Sequence, residues 1–78
     1  MALLQVRMMN NLPEKGIYRH YKGNEYELLY IANHSETLEK MVVYKALYGD
    51  GDIWVRPLSM WDETVIVDGK EVKRFSKI

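Results

Sequence analysis

Turn-forming residues recur at short intervals along this 78-residue chain and divide it into brief segments. Glycine occurs beside asparagine or aspartate at residues 23–24, 49–52 and 68–69, and the segments between these turns are rich in β-branched and aromatic residues. The Asp-Gly pair at 68–69 is the strongest short hairpin signal, and a two-residue loop there places Val65 opposite Val72. The pattern therefore predicts an all-β (mainly β) chain of short antiparallel strands.

Six segments have strand character, and only two short stretches can be helical. These are SETLEK (residues 35–40) and PLSMW (57–61), and the proline that opens the second fits a single 3₁₀ or helical turn. This inventory predicts a small SH3-like barrel or roll of about five to six short antiparallel strands over residues 16–78. Closure of the barrel would also remove most of the exposed sheet edges. Residues 1–15 are predicted to be a loosely ordered N-terminal tail.

The longest predicted strand, EYELLYIANH (residues 25–34), distributes its side chains unevenly between its two faces. Alternate residues on one face form the favoured core side, namely Tyr26, Leu28, Tyr30, Ala32 and His34. Leu29 and Ile31 on the opposite face indicate that this face is also covered midway. A strand that is buried on both faces in its middle is typical of a small, strongly bent barrel.

The register across the Gly23-Asn24 turn has two possible solutions. A two-residue loop pairs Tyr21 with Tyr26, whereas a three-residue loop with a bulge sets His20 beside Tyr26. We favour the bulged version, because it keeps Arg19 and Glu27 together on the outer face.

Composition excludes several kinds of chemistry. The chain has no cysteine, so disulfides, thiolate catalysis and cysteine zinc sites are excluded. Eleven basic residues balance eleven acidic ones, which argues against broad electrostatic binding of nucleic acid. No apolar run approaches the roughly 20 residues of a membrane span, and the N-terminal residues make a poor signal peptide. We therefore expect a cytoplasmic protein that does not bind membranes.

Four sequence blocks match a known pattern. GIYRHYKGNEYE, IANHSET, VVYKALYGDGDIWVRPLSMW and VDGKEVKRF occur in that order over residues 16–75. Together they resemble the bacterial family catalogued as domain of unknown function 1653, whose members are stand-alone proteins of about this length. The resemblance implies an SH3-type roll. It implies no activity, so there are no catalytic residues to carry over.

The segment WVRPLSMW contains the strongest candidate for a binding residue. Arg56 shares strand parity with Trp54 and precedes a proline-opened turn that ends in Trp61. An arginine between two indoles can stack on a ring or bind a carboxylate or phosphate. In the alternative interpretation, the two tryptophans close the barrel ends and Arg56 pairs with an acid such as Glu63.

The two histidines, His20 and His34, lie at the ends of successive predicted strands. They can flank a small pocket for an anion, or sense pH near neutrality. The structural alternative is that each histidine caps the barrel end with one hydrogen bond to the backbone. No spacing brings the two histidines and Glu36 together as metal ligands, so we predict neither a metal site nor a cofactor.

Catalytic chemistry has little support in this sequence. His34 and Ser35 are adjacent on a strand and point to opposite sides, so this histidine cannot readily serve that serine as a base. A turn or helix cap formed by Ser35 and Thr37 accounts for the same residues. We predict that the protein is not an enzyme.

The leading hypothesis is a non-enzymatic binding module whose barrel mouth holds a small anionic or aromatic ligand, or a peptide segment. Polar groups among aromatic ones are typical of such pockets, and the mouth would be formed by Tyr18, His20, His34, Tyr44, Trp54 and Arg56. A further hypothesis is an aromatic cage for a cation, made by Tyr18, Tyr26, Tyr44 and Tyr48, although these rings more simply fill the core with their hydroxyls at its rim. The alternative function is single-stranded nucleic-acid (RNA) binding. In it, exposed tyrosines stack on bases, and the basic tail contacts the phosphates. This tail comprises Lys70, Lys73, Arg74 and Lys77. We expect a monomer or a weak homodimer.

Overall fold

The computed structural model describes residues 12–78 and contains seven strands and one short helix. In chain order these are β1 (Gly16–His20), β2 (Glu25–Asn33), β3 (Lys40–Ala46), β4 (Ile53–Pro57), α1 (Leu58–Trp61), β5 (Thr64–Val67), β6 (Lys70–Lys73) and β7 (Phe75–Lys77). The predicted tail of residues 1–15 lies mostly outside the described residues. Its last part contacts the domain, since the carbonyl of Glu14 accepts a hydrogen bond from the Tyr18 hydroxyl at 2.7 Å.

The strands form two antiparallel sheets. Five strands make one sheet in the order β4-β3-β2-β1-β7, and β5 and β6 form a separate two-stranded sheet. The prediction of a mainly β, antiparallel chain is therefore confirmed. Within the described residues, no helix is long and apolar enough to cross a membrane.

The prediction of a closed barrel is wrong. Within residues 12–78, no ladder joins β4 to β7, the two outer strands of the large sheet. The sheet is nevertheless curled. Side chains of its two outer strands come together on the concave side, where the guanidinium carbon of Arg56 lies 5.4 Å from the centre of the Phe75 ring. Closure fails because β7 is only three residues long and the chain leaves β4 through Pro57 into a helical turn.

Aromatic side chains fill the concave side of the curled sheet. The buried cluster consists of Tyr18, Leu28, Val42, Tyr44, Trp61 and Phe75. Helix α1 is a single turn that places Trp61 over this face, where the indole is 2% exposed and stacks on Phe75 with ring centres 3.8 Å apart. The predicted helical turn after Pro57 is therefore present, and it completes the core.

The β5–β6 hairpin has the predicted register. Val65 pairs with Val72, and Val67 pairs with Lys70. Asp68 and Gly69 both have positive φ, at 52° and 79°, which is the backbone of the two-residue hairpin turn that Asp-Gly favours.

Both predicted registers for the β1–β2 turn are wrong. Tyr18 pairs with Tyr26, and Arg19 pairs with Glu25 rather than lying beside Glu27. The observed loop closes on His20, whose carbonyl accepts a hydrogen bond from the amide of Gly23, at φ 111°, and whose amide donates to the carbonyl of Asn24, both at 2.8 Å. The resulting loop moves the pairing toward the start of β1.

A β-bulge divides the faces of β2. Leu28 pairs with Tyr44, but the next aligned pair is Tyr30 with Val43, so the register shifts between Leu28 and Tyr30. The predicted core face is correct up to Leu28, which is 1% exposed, and wrong at Tyr30, which is 60% exposed. Ile31 packs against the core instead, because one extra residue reverses the direction of every later side chain.

The other stretch with helical potential, residues 35–40, contains no helix: it turns at residues 35–37 and enters β3 at Lys40. His34 Nδ1 accepts hydrogen bonds from the amides of Glu36 and Thr37 at 3.1 and 3.2 Å. The Thr37 hydroxyl accepts one from the amide of Glu39 at 3.2 Å. Side chains that bond nearby amides in this way compete with helix formation.

Candidate functional site

The best candidate site lies on the concave face of β3 and β4. Trp54 on β4 pairs with Tyr44 on β3, and Arg56 follows two residues later on the same face. Tyr44 is buried, whereas Trp54 is 51% exposed because β4 is the edge of the sheet. The fold therefore brings together three of the predicted site residues, one buried and two reachable.

Two aromatic side chains hold Arg56. Its Nε donates a hydrogen bond to the Tyr44 hydroxyl at 3.1 Å, and its guanidinium carbon lies 5.8 Å from the centre of the Tyr44 ring and 5.4 Å from that of Phe75. These contacts fix the plane of the guanidinium and place positive charge against the negative faces of the rings.

The predicted pairing of Arg56 with Glu63 is wrong. Glu63 accepts hydrogen bonds from Arg74, with Arg74 Nη2 at 2.6 Å from Glu63 Oε1. Within residues 12–78 the other ion pair joins Arg19 to Glu25. Arg56 therefore has no carboxylate partner in the part of the chain that the structure describes.

Arg56 lines a concavity of about 230 Å³. Its other walls are aromatic: Tyr26, Tyr44, Tyr48 and Trp54. The Tyr26 and Tyr48 hydroxyls share a hydrogen bond of 2.7 Å, and their rings meet edge to face with centres 5.4 Å apart. Burial, together with this bond, raises the pKa of Tyr26 to about 12, so its hydroxyl stays neutral at physiological pH.

His20 borders this site without lining the concavity. Its ring lies 5.0 Å from Phe75 and 6.3 Å from Tyr26, and its Nδ1 accepts a hydrogen bond from the amide of Lys22 at 3.1 Å. Burial lowers the pKa of His20, and the nearby charges of Arg74, Arg56 and Lys22 lower it further. The imidazole is therefore neutral at pH 7 and adds no charge beside Arg56.

Two predicted site residues lie elsewhere. Tyr18 is buried in the core, where its ring meets Trp61 edge to face and its hydroxyl bonds the carbonyl of Glu14. His34 follows the opposite end of β2 and bonds turn amides. The nine residues of β2 separate the two histidines, so the prediction of one mouth containing both is wrong. The described residues contain no group of three or more side chains suited to a metal ion.

A larger groove of about 460 Å³ lies between β7 and the β5–β6 hairpin. Its cations are Arg19, which is already paired with Glu25, and Lys73 and Lys77, which are exposed. We consider the smaller concavity the better candidate despite its volume, because its guanidinium is held in place and unpaired.

Comparison with known proteins agrees with the fold. The family model for proteins of unknown function (DUF1653) matches residues 16–77. This chain belongs to the DUF1653 family. It is also similar to a crystal structure of a DUF1653 protein from Bordetella bronchiseptica, with 38% sequence identity, a TM-score of 0.80, and coverage of 90% of this chain and 91% of the other. No curated protein matches the chain.

In this DUF1653 chain, sequence reasoning left three residues of the site outside the predicted mouth. Tyr26 and Tyr48 line the concavity, and Phe75 supports Arg56. Tyr26 shares core parity with Leu28, so its position was accessible to sequence reasoning. Tyr48 lies in a loop and Phe75 in a three-residue strand, where strand periodicity carries no signal.

Proposed function

We propose that this DUF1653 protein is a non-enzymatic binding module that takes an anionic group attached to a flat or apolar body, either a small ligand or a side chain of a peptide. The observation that supports this most is Arg56, a half-buried guanidinium held by Tyr44 and Phe75 without a carboxylate partner. The ligand's anionic group binds Arg56 and its body packs on Trp54.

The charge of Arg56 favours an anion. Only its Nε bonds within the described chain, to Tyr44, so the terminal N–H groups are available to a carboxylate or phosphate in two-pronged geometry. The surrounding rings lower the local polarity and strengthen such a contact relative to one in open water. The same charge makes an aromatic cage for a cationic ligand unfavourable, because the rings already surround a cation of the chain itself.

The walls favour a flat or apolar body. Trp54 is half exposed, and Tyr26 and Tyr48 line the concavity with their hydroxyls bonded to each other. A volume of about 230 Å³ is below the range of pockets for drug-sized ligands. One aromatic or aliphatic side chain with its acidic group fits this size.

The titration of the nearby groups supports binding rather than catalysis. A general base works best with a pKa near the operating pH. Tyr26 has a pKa of about 12, and Nδ1 of His20 is occupied by the Lys22 amide.

Single-stranded RNA binding, the alternative, has less support. The cations assigned to phosphates lie on β6, β7 and the link between them, and Lys73 and Lys77 line the separate larger groove. Arg74 is engaged by Glu63. Among the described residues, Tyr21 is the one aromatic side chain that lines this groove, whereas the exposed rings of Tyr30, Tyr48 and Trp54 lie outside it. A strand-binding surface needs several stacking rings along one track of cations.

The test is an NMR titration of ¹⁵N-labelled protein with benzoate and phenyl phosphate, with uncharged benzyl alcohol as the matched probe. We expect the indole N–H signal of Trp54 to move with both anions and that of buried Trp61 to move less. Arg56→Met keeps an unbranched apolar side chain and removes the guanidinium together with its contacts to Tyr44 and Phe75. It should weaken binding at least about tenfold and lower the free energy of unfolding by only about 1 kcal/mol, because it also removes the hydrogen bond from Nε to Tyr44.

Lys45→Met is the control. It also removes one positive charge, but Lys45 follows Tyr44 in β3, so its side chain points to the face opposite the concavity. It should leave binding intact. Equal responses to benzoate and benzyl alcohol, or equal losses in both variants, would reject an anion site at Arg56. A collapse of stability in Arg56→Met would show that Arg56 is structural.

A further inference from the structure

The outer edge of β4 is exposed and apolar. β4 is the last strand of its sheet, and no strand within residues 12–78 pairs with its outer side. Three consecutive large apolar residues on it are more than half exposed: Ile53 at 61%, Trp54 at 51% and Val55 at 56%. Exposed apolar edge strands are places where a sheet can add a further strand.

The backbone groups of β4 alternate between β3 and the open edge. The amide of Ala46 on β3 donates to the carbonyl of Asp52 at 2.9 Å, and the same register continues along β4. Because hydrogen-bonded pairs alternate in an antiparallel ladder, the even-numbered residues of this segment bond to β3. The N–H and C=O groups of Ile53 and Val55 therefore point outward.

We propose that β4 pairs with β4 of a second copy of this chain, antiparallel about a two-fold axis at Trp54. The two Trp54 residues then form a non-hydrogen-bonded cross-strand pair. Ile53 of each copy faces Val55 of the other, and each such pair exchanges two backbone hydrogen bonds. All three exposed apolar residues gain cross-strand neighbours. Pro57, which has no N–H, falls beyond the last hydrogen bond of this register.

The charges on the concave face fit this register. Asp52 and Arg56 lie two residues on either side of Trp54, so each Asp52 faces the partner's Arg56, twice in the dimer. Asp52 is exposed, and neither residue has an ion pair in the described part of the chain. A register centred on Val55 would instead place Arg56 against Trp54 and leave the Ile53 carbonyl opposite a proline nitrogen.

This complementarity argues for a second copy rather than an unrelated peptide, because one strand supplies both halves of each contact. The interface is a single strand wide, so we expect a weak, concentration-dependent dimer. The inference rests on the strand edge and does not depend on the ligand proposed for the concavity.

The first experiment measures self-association of the full chain by sedimentation velocity over a concentration series, with amide hydrogen exchange by NMR at both ends of that series. We expect a dimer that grows with concentration. The amides of Ile53 and Val55 should become protected as it forms, whereas those of Trp54 and Arg56 should be protected at every concentration by β3. Protection of Ile53 and Val55 that does not depend on concentration would show that the chain covers its own edge, and would overturn the proposal.

The second experiment tests the register by charge reversal. Asp52→Arg and Arg56→Asp each place like charges opposite one another in a homodimer, so each variant alone should self-associate on the order of tenfold more weakly than the wild type. An equimolar mixture of the two restores opposite charges at both contacts. We therefore expect the mixture to form a heterodimer.

Glu71→Arg is the control for Asp52→Arg, because it also replaces a negative charge by a positive one, on exposed β6. It should leave association unchanged. Circular dichroism of each variant confirms that it is folded before association is compared. A protein that stays monomeric at its highest soluble concentration, or a mixture that associates no better than its components, contradicts pairing at β4.

Discussion

At the scale of single residues, the hydroxyl of Tyr44 holds Arg56 in place. It accepts the Nε hydrogen bond at 3.1 Å from a ring that is 5% exposed. A buried ring can fix a hydroxyl because the side chain has one packed orientation. The direction of the guanidinium therefore depends on core packing as much as on Arg56 itself.

Tyr44→Phe removes this hydroxyl and keeps the ring. We expect a loss of about 1 kcal/mol in the free energy of unfolding, as for one hydrogen bond, and weaker binding of benzoate because Arg56 is no longer oriented. Urea denaturation and the NMR titration measure the two effects.

Tyr18→Phe is the matched control for this prediction. It removes another core hydroxyl, which bonds the carbonyl of Glu14 at 2.7 Å, so it should show a similar stability loss with unchanged affinity. If both variants bind benzoate equally well, Tyr44 does not position Arg56.

At this scale the sequence predicted the parity of Trp54 and Arg56, because a strand of two-residue period places both on one face. It could not predict what each side chain touches. Trp54 and Trp61 both looked able to close a barrel end, yet the first is half exposed and the second is 2% exposed. The difference arises because Trp54 lies on an edge strand and Trp61 on a helical turn that folds over the core.

At the scale of elements, local signals predicted the register at the Asp68-Gly69 turn but not the register at Gly23-Asn24 or the faces of β2. The Asp-Gly pair predicted the β5–β6 register because its φ preference is intrinsic to those residues. The faces of β2 depend on a bulge, and the adjacent apolar residues of ELLYI indicate coverage of both sides without marking where the register shifts. The apolar pattern alone therefore fails after Leu28.

The turn of the β5–β6 hairpin gives a prediction at this scale. A Cβ added at Gly69 would meet no heavy atom within 4 Å, but φ there is 79°. Gly69→Ala should therefore destabilise the protein by about 1 kcal/mol through backbone strain alone. Asp68 also has positive φ, at 52°, so Asp68→Gly should be close to neutral or slightly stabilising. Chemical denaturation measures the free energy of unfolding of both variants. Equal changes in the two would show that positive φ at this turn does not determine stability.

At the scale of the whole molecule, the sequence did not show that the sheet stays open instead of closing into a barrel. The pairing of β4 with β7 would join strands separated by α1 and a complete hairpin, and no local propensity encodes such a contact. The composition did predict that rings fill the interior, and four of the buried cluster are aromatic: Tyr18, Tyr44, Trp61 and Phe75. An open, curled sheet has a concave face and, at β4, an edge, which our two proposals assign to a ligand and to a second copy of the chain.

The two proposals meet at Arg56, and this gives the last prediction. In the dimer the partner's Asp52 faces the guanidinium that an anionic ligand would use, so the two compete for it. By linkage, any ligand that binds the monomer more tightly than the dimer shifts the equilibrium toward the monomer. Phenyl phosphate should therefore reduce the dimer fraction in sedimentation velocity, and benzyl alcohol at the same concentration should not.

A matched variant separates competition at Arg56 from general salt screening. In Asp52→Asn the competing carboxylate is absent, so the dimer is weaker from the start and phenyl phosphate should reduce it by a smaller factor. Ionic strength is held constant with sodium chloride throughout, because screening weakens exposed ion pairs by itself. If phenyl phosphate binds at Trp54 yet leaves the wild-type dimer fraction unchanged, the guanidinium is not shared, and the register centred on Trp54 is wrong.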